Sequence, residues 1–242
     1  MLKNIAIILV ETSHAGNIGS TARAMKTMGL ENLILVNPHD FPSGEAVALA
    51  SGADDILENA QVVPSLEVAL ADAQLILGTS ARLRTLPCPL LTPRQSAEII
   101  IPQATQQKIA IIFGRERTGL TNEELAYCHY HIHIPTVEYF SSLNLAAAVQ
   151  IMCYELRIAE LEKTAAPTPA EVQPEHEIAS FSEINGFYEH LEKTLYEINF
   201  LDPNHPKLIL QRLKRLFNRA RPDTREVNIL RGILSAVEKK HN

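Results

Sequence analysis

The residues best suited to chemistry follow a short apolar segment in the middle of the chain. Ile109–Phe113 is a β-branched run, too short for a helix and typical of a strand buried on both faces. Gly114 ends this run and is followed by Arg115, Glu116 and Arg117. Exposed N–H groups at the carboxyl end of such a strand can bind an anion or the edge of a nucleobase. The segment therefore indicates a ligand site, although an ordinary loop with solvated charges would give the same pattern.

Two other segments have a comparable position. Gly78–Ser80 follows a predicted strand, and Ser141–Asn144 opens a long predicted helix shortly after Ile134. A helix is predicted to begin after the loop that follows Ile109–Phe113, because Thr121 and Glu124 have the spacing of a capping box. All three segments are candidate ligand-binding segments.

Strand and helix patterns alternate through residues 1–135, which predicts an α/β fold with a parallel sheet covered on both faces. The predicted strands are Ile5–Val10, Leu33–Val36, Val62–Val63, Leu75–Leu77, Ile109–Phe113 and His131–Ile134. Between them we predict a turn at 15–20, helices ending near Met28 and spanning 46–57, 66–71 and 94–105, and a loop at 81–93.

The remainder of the chain predicts a second, helical domain. A helix with apolar residues at 3.6-residue spacing runs to about Lys163. Residues 164–179 contain three prolines and predict a linker, and three amphipathic helices follow in 180–242. The expected division is therefore 1–163, 164–179 and 180–242.

The charge of the chain is unevenly distributed. The net charge is −6, yet residues 205–242 contain ten lysines and arginines against three acidic residues. On the second of the three helices, Arg212, Arg215 and Arg219 share one face. This face predicts a phosphate-binding surface, and a merely solvated face is the alternative.

Composition and missing motifs exclude several classes. No apolar run approaches the roughly 20 residues of a membrane span, and the three separated cysteines favour a reducing cytoplasm over a disulfide framework. A phosphate loop, a dinucleotide fingerprint and a serine nucleophile elbow are absent. Alternating His129, His131 and His133 allow a metal site, but without an adjacent Asp or Cys we expect no metal and interpret them as surface imidazoles.

Three separated segments resemble the motifs of the SPOUT methyltransferases, in the branch that includes the SpoU enzymes. The segments are VETSHAGNIGSTARAM (Val10–Met25), FGRERTGLTNEEL (Phe113–Leu125) and SSLNLAAAVQ (Ser141–Gln150). They occur in the family's order, and the basic helical C-terminus is similar to that of bacterial tRNA (cytidine/uridine-32) 2′-O-methyltransferases. The resemblance covers essentially the whole chain.

The resemblance implies a trefoil-knotted α/β domain, a homodimer with active sites at the interface, S-adenosyl-L-methionine as cofactor and a tRNA anticodon loop as substrate. It implies a cofactor site formed by Thr79, Ser80, Ala81, Gly114, Ile134, Ser141, Ser142 and Leu143. It implies Arg23, Asn17, Glu116 and Asn144 as catalytic or positioning residues, and we expect Arg82, Arg84 and Arg115 to bind RNA with the arginines of the basic face.

The role of Arg23 is limited by its chemistry. A guanidinium has a pKa above about 12, so we expect Arg23 to orient the 2′-hydroxyl and stabilise the developing alkoxide rather than act as a base. By position alone, a salt bridge on a helix surface would explain Arg23. The competing functions are the same methylation on another RNA, a catalytically silent RNA-binding protein of this fold and, less favoured, a nicotinamide oxidoreductase.

Overall fold

The computed structural model describes residues 1–80, 88–165, 177–201 and 207–241. The chain divides into two compact units, Met1–Ala170 (the first unit) and Glu171–Asn242 (the second unit). Within the described residues, the first unit contains a seven-stranded sheet in which every pair of neighbouring strands is parallel. The α/β class predicted from the alternating pattern is confirmed. None of the helices described has both the length and the apolar composition required to cross a bilayer.

The strands of the first unit are β1 (Ile5–Val10), β2 (Asn32–Val36), β3 (Gln61–Val63), β4 (Leu75–Thr79), β5 (Leu90–Leu91), β6 (Ile109–Phe113) and β7 (Tyr130–Ile132). Their order in the sheet is β3-β2-β1-β6-β4-β7-β5. The helices are α1 (Ala15–Met28), α2 (Gly44–Ala50), α3 (Asp54–Glu58), α4 (Leu66–Leu70), α5 (Pro93–Gln103), α6 (Asn122–Leu125) and α7 (Leu145–Ala165).

Strand β6 is the centre of the sheet although it is the sixth strand along the chain. It lies between β1 and β4, and its residue Ile109 is in register with both Ile5 and Leu75. All five residues of β6 are buried, as expected for a parallel strand with helices on both faces. On this side, β1 therefore pairs with β6, a strand that comes much later in the chain.

Helix α1 begins earlier than its sequence suggests. The glycines Gly16 and Gly19 predict a turn over 15–20, but these residues form the first turns of α1. A Cβ on Gly19 would collide with the backbone of Ala46 in α2, so the glycine permits the close approach of the two helices. Tertiary packing here outweighs the low helix propensity of glycine.

Two other predictions are also wrong. The single helix predicted over 46–57 is two helices, α2 and α3, because Ser51 and Gly52 adopt left-handed backbone conformations with φ of 50° and 89°. The loop predicted over 81–93 contains the short strand β5, which is stabilised by its pairing with β7. A strand of two residues has no recognisable pattern in the sequence. Residues 81–87 of that loop lie outside the described part of the chain.

The second unit contains the three helices that the apolar stripes predict: α8 (Phe181–Glu197), α9 (Lys207–Ala220) and α10 (Thr224–His241). Its core includes Phe187, Tyr188 and Val227, and the rings of Phe187 and Phe217 pack edge to face at 4.8 Å. Asp223 and Glu226, which have the spacing of a capping box, form one before α10.

The contact between α1 and α2 predicts a strong effect of Gly19→Ala. The added methyl group collides with the backbone of Ala46, so the helices must separate, and we expect a loss of about 1–3 kcal/mol in the free energy of unfolding. Gly186→Ala in α8 is the matched control, because a Cβ there meets nothing within 4 Å. Helix propensity predicts a gain of about 0.5–1 kcal/mol for this control, and urea unfolding measures both. A neutral Gly19→Ala variant would contradict the packing argument.

Candidate active site

The carboxyl ends of β6, β4 and β7 lie side by side at one edge of the sheet, where ligands bind in open α/β folds. A cavity of about 240 Å³ opens at this edge. Seventeen residues line it: Thr79, Ser80, Phe113, Gly114, Arg115, Glu116, Arg117, Thr118, Gly119, Leu120, Ile132, Ile134, Ser141, Ser142, Leu143, Leu145 and Ala148.

All three candidate segments contribute to this cavity. Seven of the eight residues predicted to bind the cofactor line it: Thr79, Ser80, Gly114, Ile134, Ser141, Ser142 and Leu143. The eighth, Ala81, lies outside the described residues, as do Arg82 and Arg84. The fold thus brings together three segments that are separate in sequence, and the parallel alignment of β4 and β6 places the first two side by side.

The loop Gly114–Leu120 forms one wall of the cavity and is tightly folded. Its ends meet in an antiparallel bridge, in which the Gly119 N–H donates to the Arg115 carbonyl at 2.9 Å. A Cβ on Gly114 would collide with the backbone of Gly119 and Leu120, and Gly119 has a φ of 69°. Two glycines are therefore required for this turn, and the predicted capping box of Thr121 and Glu124 then starts α6.

Another part of the cavity lining is held by hydrogen bonds that join the end of β4 to β6, to β7 and to His133. The Ser80 N–H donates to the Ile132 carbonyl at 2.9 Å, and His133 Nδ1 lies 3.2 Å from the Ser80 carbonyl oxygen. The Thr79 hydroxyl donates to the Ile112 carbonyl at 3.0 Å. Apolar side chains, including Ile132 and Ile134, alternate here with hydroxyls and backbone groups, a lining suited to a flat ring with polar edges.

Glu116 connects the loop after β6 to α1 and α7. The Asn17 amide donates to Glu116 Oε1 at 3.1 Å, and the Asn144 amide donates to Asn17 Oδ1 at 2.8 Å. Asn144 Oδ1 in turn accepts from the Ala147 N–H at 3.2 Å and caps α7. Three of the four predicted catalytic residues therefore form one hydrogen-bonded chain at the edge of the cavity.

The environment of Glu116 favours its ionised form. Burial, the largest single influence, raises its pKa, but hydrogen bonds from its own backbone N–H, from the Asn17 amide and from the Ser13 and His14 N–H groups together lower the pKa below 4.5. The Ser13 hydroxyl also donates to Glu116 Oε2 at 3.1 Å. In this structure Glu116 is therefore a hydrogen-bond acceptor for the donors of residues 13–17.

Arg23, the fourth predicted catalytic residue, does not line this cavity. Arg23 is exposed on α1, and its side chain forms neither a hydrogen bond nor an ion pair with any residue that the structure describes. The helix-surface salt bridge considered from sequence is therefore not observed within the described residues.

The other arginines have contrasting environments. Arg115 lines the cavity but is paired with Glu11 and Glu124, which accept from its guanidinium at 2.7 and 3.0 Å. In α9, Arg212 and Arg219 are exposed and Arg215 is half-buried. Helix α9 contains no acidic residue, so these three arginines lack a carboxylate partner on their own helix.

The interpretation of the histidines as surface imidazoles is wrong for His131, which is buried, whereas His129 and His133 are half-buried. His129 Nδ1 accepts from the Ile76 N–H at 3.0 Å, buried His131 lies 3.3 Å from the Leu125 carbonyl oxygen, and His133 contacts Ser80 as described above. Each ring thus contacts the backbone. The described residues contain no group of three or more metal-ligating side chains.

Several residues that line the cavity are not among the predicted site residues. Thr118, Leu120, Leu145 and Ala148 lie in or beside the candidate segments, so their proximity in sequence was an available signal. The backbone N–H groups of Ser13 and His14, which donate to Glu116, could not have been recognised, since any residue type supplies an N–H group.

The seven-stranded parallel sheet with its helices is an α/β fold, and its structural neighbours are SpoU and TrmJ enzymes, which are SPOUT methyltransferases. Residues 4–154 match the model of the SpoU rRNA methylase family, and residues 182–242 match that of the C-terminal domain of the tRNA methyltransferase TrmJ. The chain therefore belongs to the SpoU methylase family, as its three motifs predict.

Individual relatives resemble the chain along its whole length. The tRNA (cytidine/uridine-2′-O-)-methyltransferase TrmJ of Pectobacterium atrosepticum is 53% identical and is covered completely, as is this chain. The crystal structure of TrmJ from Z. mobilis is 34% identical with a TM-score of 0.84, over 96% of this chain and 98% of that one. The SpoU methyltransferase AviRb from Streptomyces viridochromogenes, solved with AdoMet, shares the fold at 23% identity and a TM-score of 0.51, over 66% of this chain and 61% of that chain.

The lowered pKa of Glu116 predicts a pH-dependent stability. Its contribution is present above the unfolded-state pKa, near 4.5, and is lost as the pH falls through the lower pKa of the folded protein. We therefore expect the free energy of unfolding of the wild type to fall more steeply than that of Glu116→Gln between about pH 5 and 3. Urea unfolding over this range measures both, and parallel pH profiles would contradict the expectation.

Proposed function

We propose that this chain transfers the methyl group of S-adenosyl-L-methionine to the ribose 2′-oxygen of a cytidine or uridine at nucleotide 32 of tRNA. Its membership of the SpoU methylase family makes it a methyltransferase. The observation that carries the proposal is the cavity at the carboxyl ends of β4, β6 and β7, which is lined by residues of the second and third family motifs and by Thr79 and Ser80. The first motif does not line the cavity, but its residue Asn17 donates a hydrogen bond to the cavity residue Glu116.

The lining of the cavity fits the proposed cofactor. Apolar side chains of Leu120, Ile132 and Ile134 would accommodate the adenine ring, while the backbone near Leu143 would meet its polar edge. The hydroxyls of Thr79, Ser80, Ser141 and Ser142 would face the polar groups of the cofactor. Together with Ala81, Gly114, Ile134 and Leu143, these four residues make up the proposed cofactor site. When bound, the cofactor supplies an electrophilic methyl group on a sulfonium.

The proposed roles of the protein's residues follow from their chemistry. Arg23 stabilises the negative charge that develops on the 2′-oxygen as its proton leaves to solvent, because a guanidinium keeps its charge at neutral pH. Asn17 and Asn144, oriented by Glu116, hold the ribose for in-line transfer. The loop that contains Gly114 closes one side of the reacting groups.

Arg23 does not line the cavity of its own chain, but in a homodimer it could reach the cavity of the partner protomer. Large apolar side chains beside the cavity are exposed to solvent, with Tyr139 90% and Phe140 73% accessible. Contiguous exposed apolar residues mark an interface, and we propose that a second copy of this chain covers them. Arg23 of one protomer would then complete the cavity of the other.

The proposed substrate is supported by the C-terminal match and by charge. The similar TrmJ proteins are named for cytidine/uridine 2′-O-methylation of tRNA, and the arginines of α9 form a surface suited to phosphates. Arg82 and Arg84 would contribute from the segment after β4. Since tRNA is the substrate, we place the enzyme in the cytoplasm.

The direct test is transfer from labelled S-adenosyl-L-methionine to unmodified total tRNA, followed by mapping of the modified nucleotide. A 2′-O-methylated pyrimidine at nucleotide 32 would support the whole proposal. Methylation of another tRNA or ribosomal nucleotide would support the proposed reaction but contradict the proposed substrate. An absence of cofactor binding would favour an RNA-binding protein that retains the fold.

Arg23→Ala should abolish transfer while cofactor affinity stays within a few fold, because Arg23 does not line the cavity. Asn144→Ala should also be inactive, because it loses the hydrogen bond from the Asn144 amide to Asn17. If Arg23 acts across a dimer, mixing the two variants should restore about one quarter of wild-type activity, since half of the dimers are mixed and hold one intact site. No recovery on mixing would place Arg23 within its own protomer, and near-normal turnover of Arg23→Ala would remove it from the mechanism.

Replacement of Arg212, Arg215 and Arg219 by glutamine should weaken tRNA binding and reduce the slope of log affinity against log salt by about two to three, since each phosphate contact contributes roughly 0.9. Cofactor affinity should not change. The control replaces Lys3, Lys26 and Lys108 with glutamine, which removes the same charge from exposed ion pairs of the first unit. Equal slopes for the two triple variants would mean that the α9 face is only solvated.

A further inference from the structure

Arg115 has an environment unlike that of an RNA-binding arginine. Its Nε donates to Glu11 Oε2 at 2.7 Å, and its Nη1 and Nη2 donate to the two carboxylate oxygens of Glu124 at 3.0 and 3.1 Å. The side chain is 23% exposed and that of Glu124 is 14% exposed. Paired charge-assisted hydrogen bonds of this kind are among the strongest that side chains form.

These three residues, the Arg115 ion-pair cluster, join three separate segments. Glu11 is the first residue after β1, Arg115 is the second after β6, and Glu124 lies in α6 and accepts from the Thr121 N–H at 2.7 Å. Glu11 also adopts a left-handed backbone conformation with a φ of 46°. A non-glycine residue is held in that conformation only where the surroundings constrain it, as the ion pair does here.

The charge balance of the cluster opposes an RNA-binding role. Two carboxylates face one guanidinium, so the cluster is net negative and would not attract a phosphate. The hydrogen bonds to Glu11 and then to Glu124 raise the pKa of Arg115 above its ordinary value, and the Arg115 hydrogen bond lowers the pKa of Glu11. The three N–H groups that donate to Glu11 and Glu124 could bind a phosphate only if these carboxylates were displaced.

The position of Arg115 in sequence determines what the cluster controls. Its neighbours Gly114 and Glu116 both line the cavity, and its carbonyl accepts the Gly119 N–H that closes the loop. The guanidinium also approaches the Gly119 carbonyl at 3.5 Å. Side chain and backbone of one residue thus hold both ends of the loop Gly114–Leu120.

We propose that Arg115 is a positioning residue, which with Glu11 and Glu124 holds the loop Gly114–Leu120 in the shape that receives the cofactor, and that it does not bind RNA. The inference rests on the proposed function for the identity of the cofactor. It replaces the RNA-binding role expected for Arg115 from the sequence. The cluster itself is observed in the chain without any ligand.

Charge-neutral variants separate the two roles. Arg115→Gln and the double variant Glu11→Gln/Glu124→Gln both dissolve the cluster, but the first removes a cation and the second removes anions. A positioning role predicts that both weaken S-adenosyl-L-methionine binding by roughly tenfold or more, measured by calorimetry, and raise its KM while kcat at saturating cofactor is largely retained. Arg115→Lys should not restore affinity, because an ammonium cannot bond both carboxylates in this geometry.

An RNA-binding role predicts the opposite pattern. Arg115→Gln would then lower the salt slope of tRNA binding by about one with cofactor affinity unchanged, and the double glutamine variant would leave tRNA binding equal or tighter. That result would overturn the proposal. Arg94→Gln is the matched control, since it breaks an exposed arginine–glutamate pair, with Glu155, away from the cavity and should change neither affinity.

Hydrogen exchange makes the inference independent of the proposed cofactor. In the ligand-free protein, the Gly119 amide should exchange faster in Arg115→Gln and in the double variant than in the wild type or in Arg94→Gln. Unchanged protection of Gly119 would overturn the positioning role, whether or not the cofactor binds. Failure of the wild type to bind S-adenosyl-L-methionine would instead refute the proposed function, while the exchange rates still decide the role of Arg115.

Discussion

The candidate site depends on the hydrogen bonds that the Glu116 carboxylate accepts. It accepts the Asn17 amide and the N–H groups of Ser13 and His14, so the turn after β1 is fixed relative to the loop after β6. Asn144 extends the same chain of hydrogen bonds to the start of α7. Because the Glu116 carboxylate accepts several hydrogen bonds from residues 13–17, its ionised form is favoured despite partial burial, and these bonds tie the turn after β1 and the start of α1 to the loop after β6.

This interaction is possible only because β6 lies between β1 and β4. Parallel pairing on both sides directs the three carboxyl ends to the same edge, and the fully apolar β6 requires cover on both faces. The glycines serve the same arrangement: Gly19 permits α2 to approach α1, and Gly114 permits the loop to fold back on itself. The core therefore determines where polar groups can meet.

The arginines show how strongly surroundings determine the role of one residue type. Arg23 is exposed on α1, Arg115 is held between two carboxylates, and Arg212 is exposed on a helix without acidic residues. The first is suited to a partner outside the single chain, the second to holding a loop, and the third to a polyanion. The sequence predicts the same RNA-binding role for Arg115 and Arg212, and only the structure shows that their surroundings differ.

The sequence by itself determined the alternation of strands and helices, the capping boxes at Thr121 and Asp223, and the three motifs that mark the family, because these depend on residues close together in the chain. Only the tertiary structure decided that residues 15–20 are helical, that 46–57 is two helices, that β5 joins the sheet, and that Arg115 faces Glu11 and Glu124. Each of these depends on partners far away in sequence, whose proximity local propensity and spacing do not encode.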